Sequence, residues 1–262
     1  MTRIGWIVLL LGTSTACAEW QPVASRINLF FMKAGDYFEP ELQVELAQAA
    51  DRGNVSRIKD LVKKGGDVNA QGKDGITPLL WALIKQNEKG LQALLEQGAD
   101  PNIITTRANG EKFSVLHLAA IMENPDYLRL ALEHGGNPNL VDPDSGKTPV
   151  YEAIMNRRRE NIDLLIAAGA NLNFKDRTGQ TPAMIAAGLS QYDVVYEMIK
   201  AGADPKITDN WNYTVAWFIE QNPTDPEAES YKWRNLVIDL LRERGMEVLP
   251  WTPEKGSGRP SK

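Results

Sequence analysis

The stretch from Gly169 to Pro182, GANLNFKDRTGQTP, separates two runs of residues whose apolar positions have helical spacing. The stretch is polar and carries glycine and threonine. Taken alone, it fits either a phosphate-binding loop before a helix or a plain connector. The rest of the chain decides between these interpretations, because both halves of the stretch recur.

The recurrence has two independent markers. Relatives of GANLN begin at Gly65, Gly98, Gly135, Gly169 and Gly202, which lie 33, 37, 34 and 33 residues apart. The second marker recurs as Thr77-Pro78, Ser114-Val115, Thr148-Pro149, Thr181-Pro182 and Thr214-Val215, spaced by 37, 34, 33 and 33 residues. A phosphate loop has no reason to recur at this period, so the stretch is interpreted as the junction between two structural repeats.

A period near 33 with T-P-L-x-x-A and L-L-x-x-G-A-D/N-x-N resembles the ankyrin repeat. The lines that carry the resemblance are DGITPLLWAL from Asp74, FSVLHLAA from Phe113, GKTPVYEAI from Gly146 and GQTPAMIAA from Gly179. The resemblance implies an all-α ankyrin-repeat solenoid of about six helix-turn-helix units with β-hairpin fingers. We place the domain at 40–249, with units at about 40–72, 73–105, 106–142, 143–176, 177–206 and 207–249.

Local chemistry agrees with this assignment. Threonine before proline is expected to cap the first helix of each unit, and the glycine after the second helix to end it in the left-handed conformation. The first unit lacks T-P and begins with Glu41 and Gln43, which fits a capping unit whose outer face meets water. In the last unit, the segment Asn222–Trp233 is expected to separate the two helices.

The two ends differ from the repeats. Residues 1–18 have a weakly basic start, a short apolar run and small residues before position 18, which predicts a secretory signal. Cys17, the only cysteine, follows Ser14-Thr-Ala and resembles a lipidated cysteine, although Ser14 stands where lipoproteins usually carry leucine. Cleavage after Ala18 would instead release the protein. Residues 19–39 form an N-terminal extension, and 250–262 a tail predicted to be disordered.

Catalysis is not expected. The net charge of −5 argues against nucleic acid as a partner. The only histidines, His117 and His134, occupy positions that predict structural roles, and no metal-binding or nucleophile motif occurs. Asp142 and Asp144 are interpreted as turn formers. We therefore predict a non-enzyme without metal, cofactor or catalytic residues, which is monomeric by itself.

The resemblance places partner binding on the concave surface made by the fingers and the exposed side of the first helices. Carried over by position, the candidate residues are Lys73, Asp74, Ile76, Trp81, Ile84, Lys85, Arg107, Glu111, Ile121, Met122, Met155, Phe174, Arg177, Leu189, Trp211, Tyr213 and Phe218. Several are aromatic, Met or Arg, the types enriched at interface centres. The basic run Arg157–Arg159 is expected mainly as solvated charge, with docking as the alternative.

Exported ankyrin proteins of this layout resemble immunity proteins paired with type VI secretion phospholipase effectors. The resemblance implies a periplasmic protein, anchored in the outer membrane if Cys17 is lipidated, that binds a toxin and occludes it. The alternative is a periplasmic scaffold that stabilises an enzyme such as a catalase.

Overall fold

The computed structural model describes residues 33–106, 110, 112–222 and 224–248. Residues 1–32, which include the predicted export signal and Cys17, and the predicted tail 250–262 lie outside these residues. In the described part of the chain twelve α-helices form six antiparallel pairs: α1 Glu41–Asp51, α2 Val55–Lys63, α3 Pro78–Ile84, α4 Glu88–Glu96, α5 Val115–Ile121, α6 Asp126–Glu133, α7 Pro149–Met155, α8 Arg159–Ala167, α9 Pro182–Gly188, α10 Tyr192–Lys200, α11 Val215–Gln221 and α12 Glu229–Glu243. The first helices of the pairs contact one another in chain order, α1 to α3 and onward to α11, which makes one row. The predicted solenoid of six units is confirmed.

Each first helix is preceded by a finger, which we number by its unit. Finger 3 is a hairpin of β1 Ile104–Thr106 and β2 Lys112–Ser114, paired antiparallel with Thr105 opposite Phe113. Fingers 4, 5 and 6 are tight turns, across which the N–H of Asp142 donates to the carbonyl of Lys147, that of Asp176 to Gln180 and that of Asp209 to Tyr213. Among the described residues, therefore, only the enlarged finger contains paired strands.

Finger 1 is formed by residues without any repeat signature. Residues 34–38 include a short 3-10 helix, Ala34–Asp36, and the carbonyl oxygen of Tyr37 accepts from the N–H of Lys73 at 2.7 Å. The N–H of Asn210 in finger 6 makes the equivalent bond to Thr178 of finger 5 at 3.1 Å. Residues 34–38 therefore occupy the place of a finger, and the first unit begins near residue 34 rather than residue 40.

Helix capping follows the prediction in part. The hydroxyls of Thr77, Ser114 and Thr181 accept from backbone N–H groups of the first turn, at 3.2–3.4 Å. Thr148 and Thr214 make no such bond, so the expectation of a side-chain cap in every unit is wrong there. The closing glycines all have positive φ, between 74° and 108°, as predicted: Gly65, Gly98, Gly135, Gly169, Gly202 and Gly245.

Small residues set the spacing of the units. Alanines at the centres of the first helices are fully buried. At the start of α4, a Cβ on Gly90 would collide with the carbonyl oxygen of Ala50 in α1. Only glycine fits at this contact, because the two backbones approach too closely for any side chain.

The terminal units differ from expectation in two details. Gln43 is buried rather than facing water, and its amide donates to the carbonyl of Asp67 at 3.1 Å and accepts from the N–H of Asp67 at 2.9 Å. In the last unit α12 already begins at Glu229, so the connection is shorter than Asn222–Trp233 and the extra length lies in a 15-residue helix.

Asparagines join successive units through a repeated pair of bonds. Asn139 accepts from the N–H of Asn171 at 2.6 Å and donates to the carbonyl of Gly169 at 3.1 Å. Asn69 and Asn102 make the same two bonds to the following unit. Because backbone groups in these connections lack helical partners, the asparagines satisfy them and hold neighbouring units in register.

Candidate protein-binding surface

The candidate surface starts from the helical positions of the first helices. On a helix, residues three, four, seven and eight positions after a common point share one face. Counted from the Ser or Thr before each first helix, several of these positions carry half-exposed apolar side chains in the last four units, while others, such as His117, Tyr151 and Met184, are buried. We call the half-exposed apolar side chains the first-helix face: Leu118, Ile121, Met122, Met155, Ile185, Leu189, Trp217 and Phe218.

The stacking of the helices makes this face continuous. Helices α5, α7, α9 and α11 contact one another in order. The ring of Phe218 in α11 lies beside Gly188 of α9, with 3.7 Å between its Cδ1 and the place of a Cβ on the glycine. The face therefore runs as an apolar band across units 3 to 6, interrupted in unit 4 by the half-exposed Glu152.

The band ends in an aromatic cluster, which we define as Trp211, Tyr213, Trp217 and Phe218. The rings of Tyr213 and Trp217 stack with centroids 4.0 Å apart and planes 16° apart, and Phe218 meets Trp217 edge-on at 5.1 Å. Trp211, at the tip of finger 6, is 53% exposed. Large aromatic side chains with this exposure are typical centres of protein interfaces.

The predicted binding residues fall into four groups. Lys73, Arg177 and Trp211 are exposed, and Asp74, Lys85, Ile121, Met122, Met155, Phe174, Leu189, Tyr213 and Phe218 are half-exposed. Arg107 and Glu111 lie outside the described residues. The remaining three, Ile76, Trp81 and Ile84, are buried, and their side chains belong to the core rather than to an accessible surface.

Trp81 is buried because finger 1 covers it. Its ring lies 5.9 Å from that of Tyr37 and 5.7 Å from that of Phe38, and the ammonium of Lys85 sits 4.8 Å from its centroid. Only 1% of Trp81 remains exposed. Because residues 34–38 carry no repeat motif, the repeat pattern did not indicate that a finger would cover this position.

The fingers are held by buried polar side chains. The hydroxyl of Tyr151 lies 2.7 Å from the carbonyl oxygens of both Phe174 and Gln180, at the two sides of finger 5. Burial is the main cause that raises the pKa of Tyr151, and the nearby carboxylate of Asp176 raises it further. The hydroxyl therefore stays protonated and fixes the finger.

Both histidines have the structural roles that their positions in the repeat predict. In His117 the Nδ1 atom lies 2.8 Å from the hydroxyl of Ser114 and Nε2 lies 3.2 Å from the carbonyl of Lys147 in finger 4. Burial lowers the pKa of His117, which keeps the ring neutral near pH 7. His134 places Nδ1 2.9 Å from the carbonyl of Leu130 in the last turn of α6.

The basic run Arg157–Arg159, at the start of α8, links neighbouring units. Arg157 donates to the carbonyl of Leu189, and Arg158 to that of Ile121, at 2.9 and 2.7 Å. Arg159 pairs with Asp193 of the next unit at 2.8 Å. These contacts give the run a role in positioning the ends of the first helices beside the candidate surface.

Asp142 and Asp144 act within and between fingers. Asp142 accepts from the N–H of Asp144 at 2.7 Å, and Asp144 accepts from the N–H of Lys112 at 2.9 Å. Asp142 is thus a turn former, as predicted, whereas the Asp144 carboxylate links finger 4 to finger 3. Within the part of the chain that the structure describes, no cluster of three His, Cys, Asp or Glu side chains could hold a metal ion. No helix among these residues has the length and apolar character needed to cross a bilayer.

Comparison with known proteins identifies the family. The chain matches the family of ankyrin repeats in three copies over residues 46–142 and 116–209, more than half of its length. It belongs to the ankyrin-repeat family, and its repeats form a protein–protein interaction module.

Relatives include both bacterial and animal proteins. Protein PhlB of Serratia liquefaciens is 35% identical over 159 residues, which cover 59% of this chain and 66% of PhlB. Phosphocholine transferase AnkX of Legionella pneumophila is 24% identical over 209 residues, which cover 76% of this chain and 22% of AnkX. The B-cell lymphoma 3 protein homolog of Mus musculus is 27% identical over 157 residues, covering 60% of this chain and 35% of the relative. The matches thus span slightly under two thirds of PhlB and much smaller parts of the other two.

Proposed function

We propose that this chain is an immunity protein that binds a secreted toxin, of the phospholipase or lipase class, and inhibits it by occlusion. The observation that carries the proposal is the apolar first-helix face, which ends in the exposed Trp211. An exposed apolar band lowers the solubility of the isolated chain and does not stabilise its fold. We therefore expect a partner protein to cover the band.

The geometry favours occlusion over transient contact. Fingers and first helices are tied to neighbouring units by Tyr151, His117 and Arg157, so the surface is formed before the partner arrives. A preorganised surface loses little conformational entropy on binding, which favours the tight complexes that neutralisation of a toxin requires.

The proposed compartment is the periplasm, with an outer-membrane anchor if Cys17 is lipidated. Its support is the pattern of residues 1–18, with a short apolar run followed by small residues. Mass spectrometry of the mature protein tests this part: a lipidated Cys17 at the N-terminus indicates anchoring, a start at Glu19 indicates release, and an intact Met1 contradicts export.

Co-expression tests the function. Cells that express a secreted phospholipase encoded beside this chain, directed to the periplasm, should survive only when this protein is also exported. The purified protein should also inhibit the purified enzyme. If the enzyme is bound and its activity is raised or preserved, the chain is a stabilising scaffold instead. If no binding occurs, this partner assignment is wrong.

A further inference from the structure

Finger 6 lacks a polar contact that fingers 4 and 5 possess. Each of these fingers begins with an aspartate that accepts from backbone N–H groups of the turn. In finger 4 the hydroxyl of Ser145 also donates to Asp142 at 3.0 Å, and in finger 5 the hydroxyl of Thr178 donates to Asp176 at 2.6 Å. Trp211 stands at the place of Thr178, 33 residues later, and supplies no hydroxyl.

The carboxylate of Asp209 is incompletely satisfied. Its Oδ1 accepts from the N–H groups of Trp211 and Tyr213, both at 2.9 Å. Its Oδ2 is buried and has no hydrogen-bond partner among the described residues. In finger 4 the hydroxyl of Ser145 bonds the Oδ2 of Asp142, whereas in finger 5 the hydroxyl of Thr178 bonds the Oδ1 of Asp176, which also accepts from the backbone. A buried, unpaired carboxylate oxygen costs free energy.

The same finger exposes its aromatic side chains. Trp211 is 53% exposed, and the stacked rings of Tyr213 and Trp217 are half-exposed. At the other end of the solenoid the ammonium of Lys85 lies over Trp81 at 4.8 Å. No cation is found over the aromatic cluster of unit 6 in the described part of the chain.

We infer that finger 6 and the start of α11 bind a basic side chain, arginine or lysine, of the protein partner. A guanidinium or ammonium stacks favourably on tryptophan and tyrosine rings. The carboxylate of Asp209, whose Oδ1 binds the backbone of Trp211 and Tyr213, supplies negative charge in the same finger. This inference rests on the proposed function, since the basic group comes from the bound protein.

The site can be tested without the partner. Acetyl-arginine-methylamide is titrated into the isotopically labelled protein, and the indole resonances of Trp211 and Trp217 are followed by nuclear magnetic resonance. We expect saturable shifts at millimolar concentration, and shifts at least about fivefold smaller with the neutral acetyl-citrulline-methylamide. Asp209→Asn and Trp211→Thr should abolish the preference for arginine. Equal shifts with both probes, no shifts, or an unchanged preference in Asp209→Asn would overturn the inference.

A folding control and a binding arm complete the test. Trp211→Thr places a hydroxyl where finger 5 has one, so its melting temperature should equal or exceed that of the wild type. In the phospholipase assay, this variant should weaken inhibition by at least about tenfold. If the wild type inhibits and Trp211→Thr inhibits equally, the inference fails while the proposed function stands. If arginine binds as predicted but the wild type binds no phospholipase, only the proposed partner is wrong.

Discussion

Replacing Asn161 by aspartate should destabilise the solenoid strongly at neutral pH. Asn161 lies in α8 with only 1% of its surface exposed, and its Nδ2 donates to the carbonyls of Ala119, Ala120 and Met122 at 3.3, 3.0 and 2.9 Å. These carbonyls lie at the end of α5, where helical partners become scarce, and of the three that of Ala119 also accepts from the N–H of Met122. The aspartate is nearly isosteric but presents an acceptor to three acceptors.

The magnitude follows from the bonds that are lost. Each deprived buried carbonyl costs about 1–3 kcal/mol, and because the three share one NH₂ group we expect a loss of about 3 kcal/mol for Asn161→Ala. Asn161→Asp should cost more, about 4 kcal/mol or above, since it adds a buried charge without a cation.

The assay is urea unfolding followed by far-ultraviolet circular dichroism, at pH 7 and pH 5. Burial and the facing carbonyls should raise the pKa of the new carboxyl group above its unfolded value of about 3.9. The deficit of Asn161→Asp relative to the wild type should therefore shrink as the pH falls. Asn124→Asp is the matched control, because Asn124 acts as an acceptor for the N–H of Asp126 and should change stability by less than about 0.5 kcal/mol. A loss below about 1 kcal/mol for both Asn161 variants would show that the hydrogen bonds of this amide do not stabilise the solenoid as we expect.

Two further predictions concern close packing and pH. Gly90→Ala should destabilise the protein by about 1–3 kcal/mol despite alanine's higher helix propensity, because the new Cβ meets the carbonyl of Ala50. Gly188→Ala, where the Cβ has room, should stabilise it by about 0.5–1 kcal/mol. Chemical denaturation of both variants measures these changes. Because burial lowers the pKa of His117 in the folded state, the free energy of unfolding should decrease as the pH falls below about 6.5, where the unfolded chain alone takes up the proton. His117→Gln should flatten this dependence, and an unchanged slope would contradict the assignment.

The repeat pattern predicted the order of the helices, their partners and the closing glycines, because these depend on local chemistry that recurs every 33 residues or so. It did not predict finger 1, because residues 34–38 take the place of a finger, and its hydrogen bond to the next finger, without the side chains of the repeat motif. The expected exposure of Trp81 was wrong for this reason.

Contacts between units were also hidden from the sequence. Asn139 and Arg157 bond to backbone groups about 30 residues away, and such partners become visible only when the units are stacked. Leu118, Ile185 and Trp217 were not among the predicted surface residues. Leu118 and Ile185 each stand four positions after the Ser or Thr before their helix, on the same helix face as Met122. Trp217 stands three positions after Thr214, a place that is buried in the three preceding units, so its exposure did not follow from its position.

The central claim is that the first-helix face binds and blocks a secreted phospholipase. The most direct measurement is the inhibition constant of the purified protein against that enzyme, compared among the wild type, Leu189→Glu, Met155→Glu and the control Lys200→Glu on the second helix of unit 5. Folding of each variant is checked by circular dichroism. If the first-helix face binds the enzyme, the wild type and Lys200→Glu should inhibit it stoichiometrically, and the other two variants should inhibit at least about tenfold more weakly, roughly 1.4 kcal/mol. Equal inhibition by all four proteins, or none by the wild type, would contradict the claim.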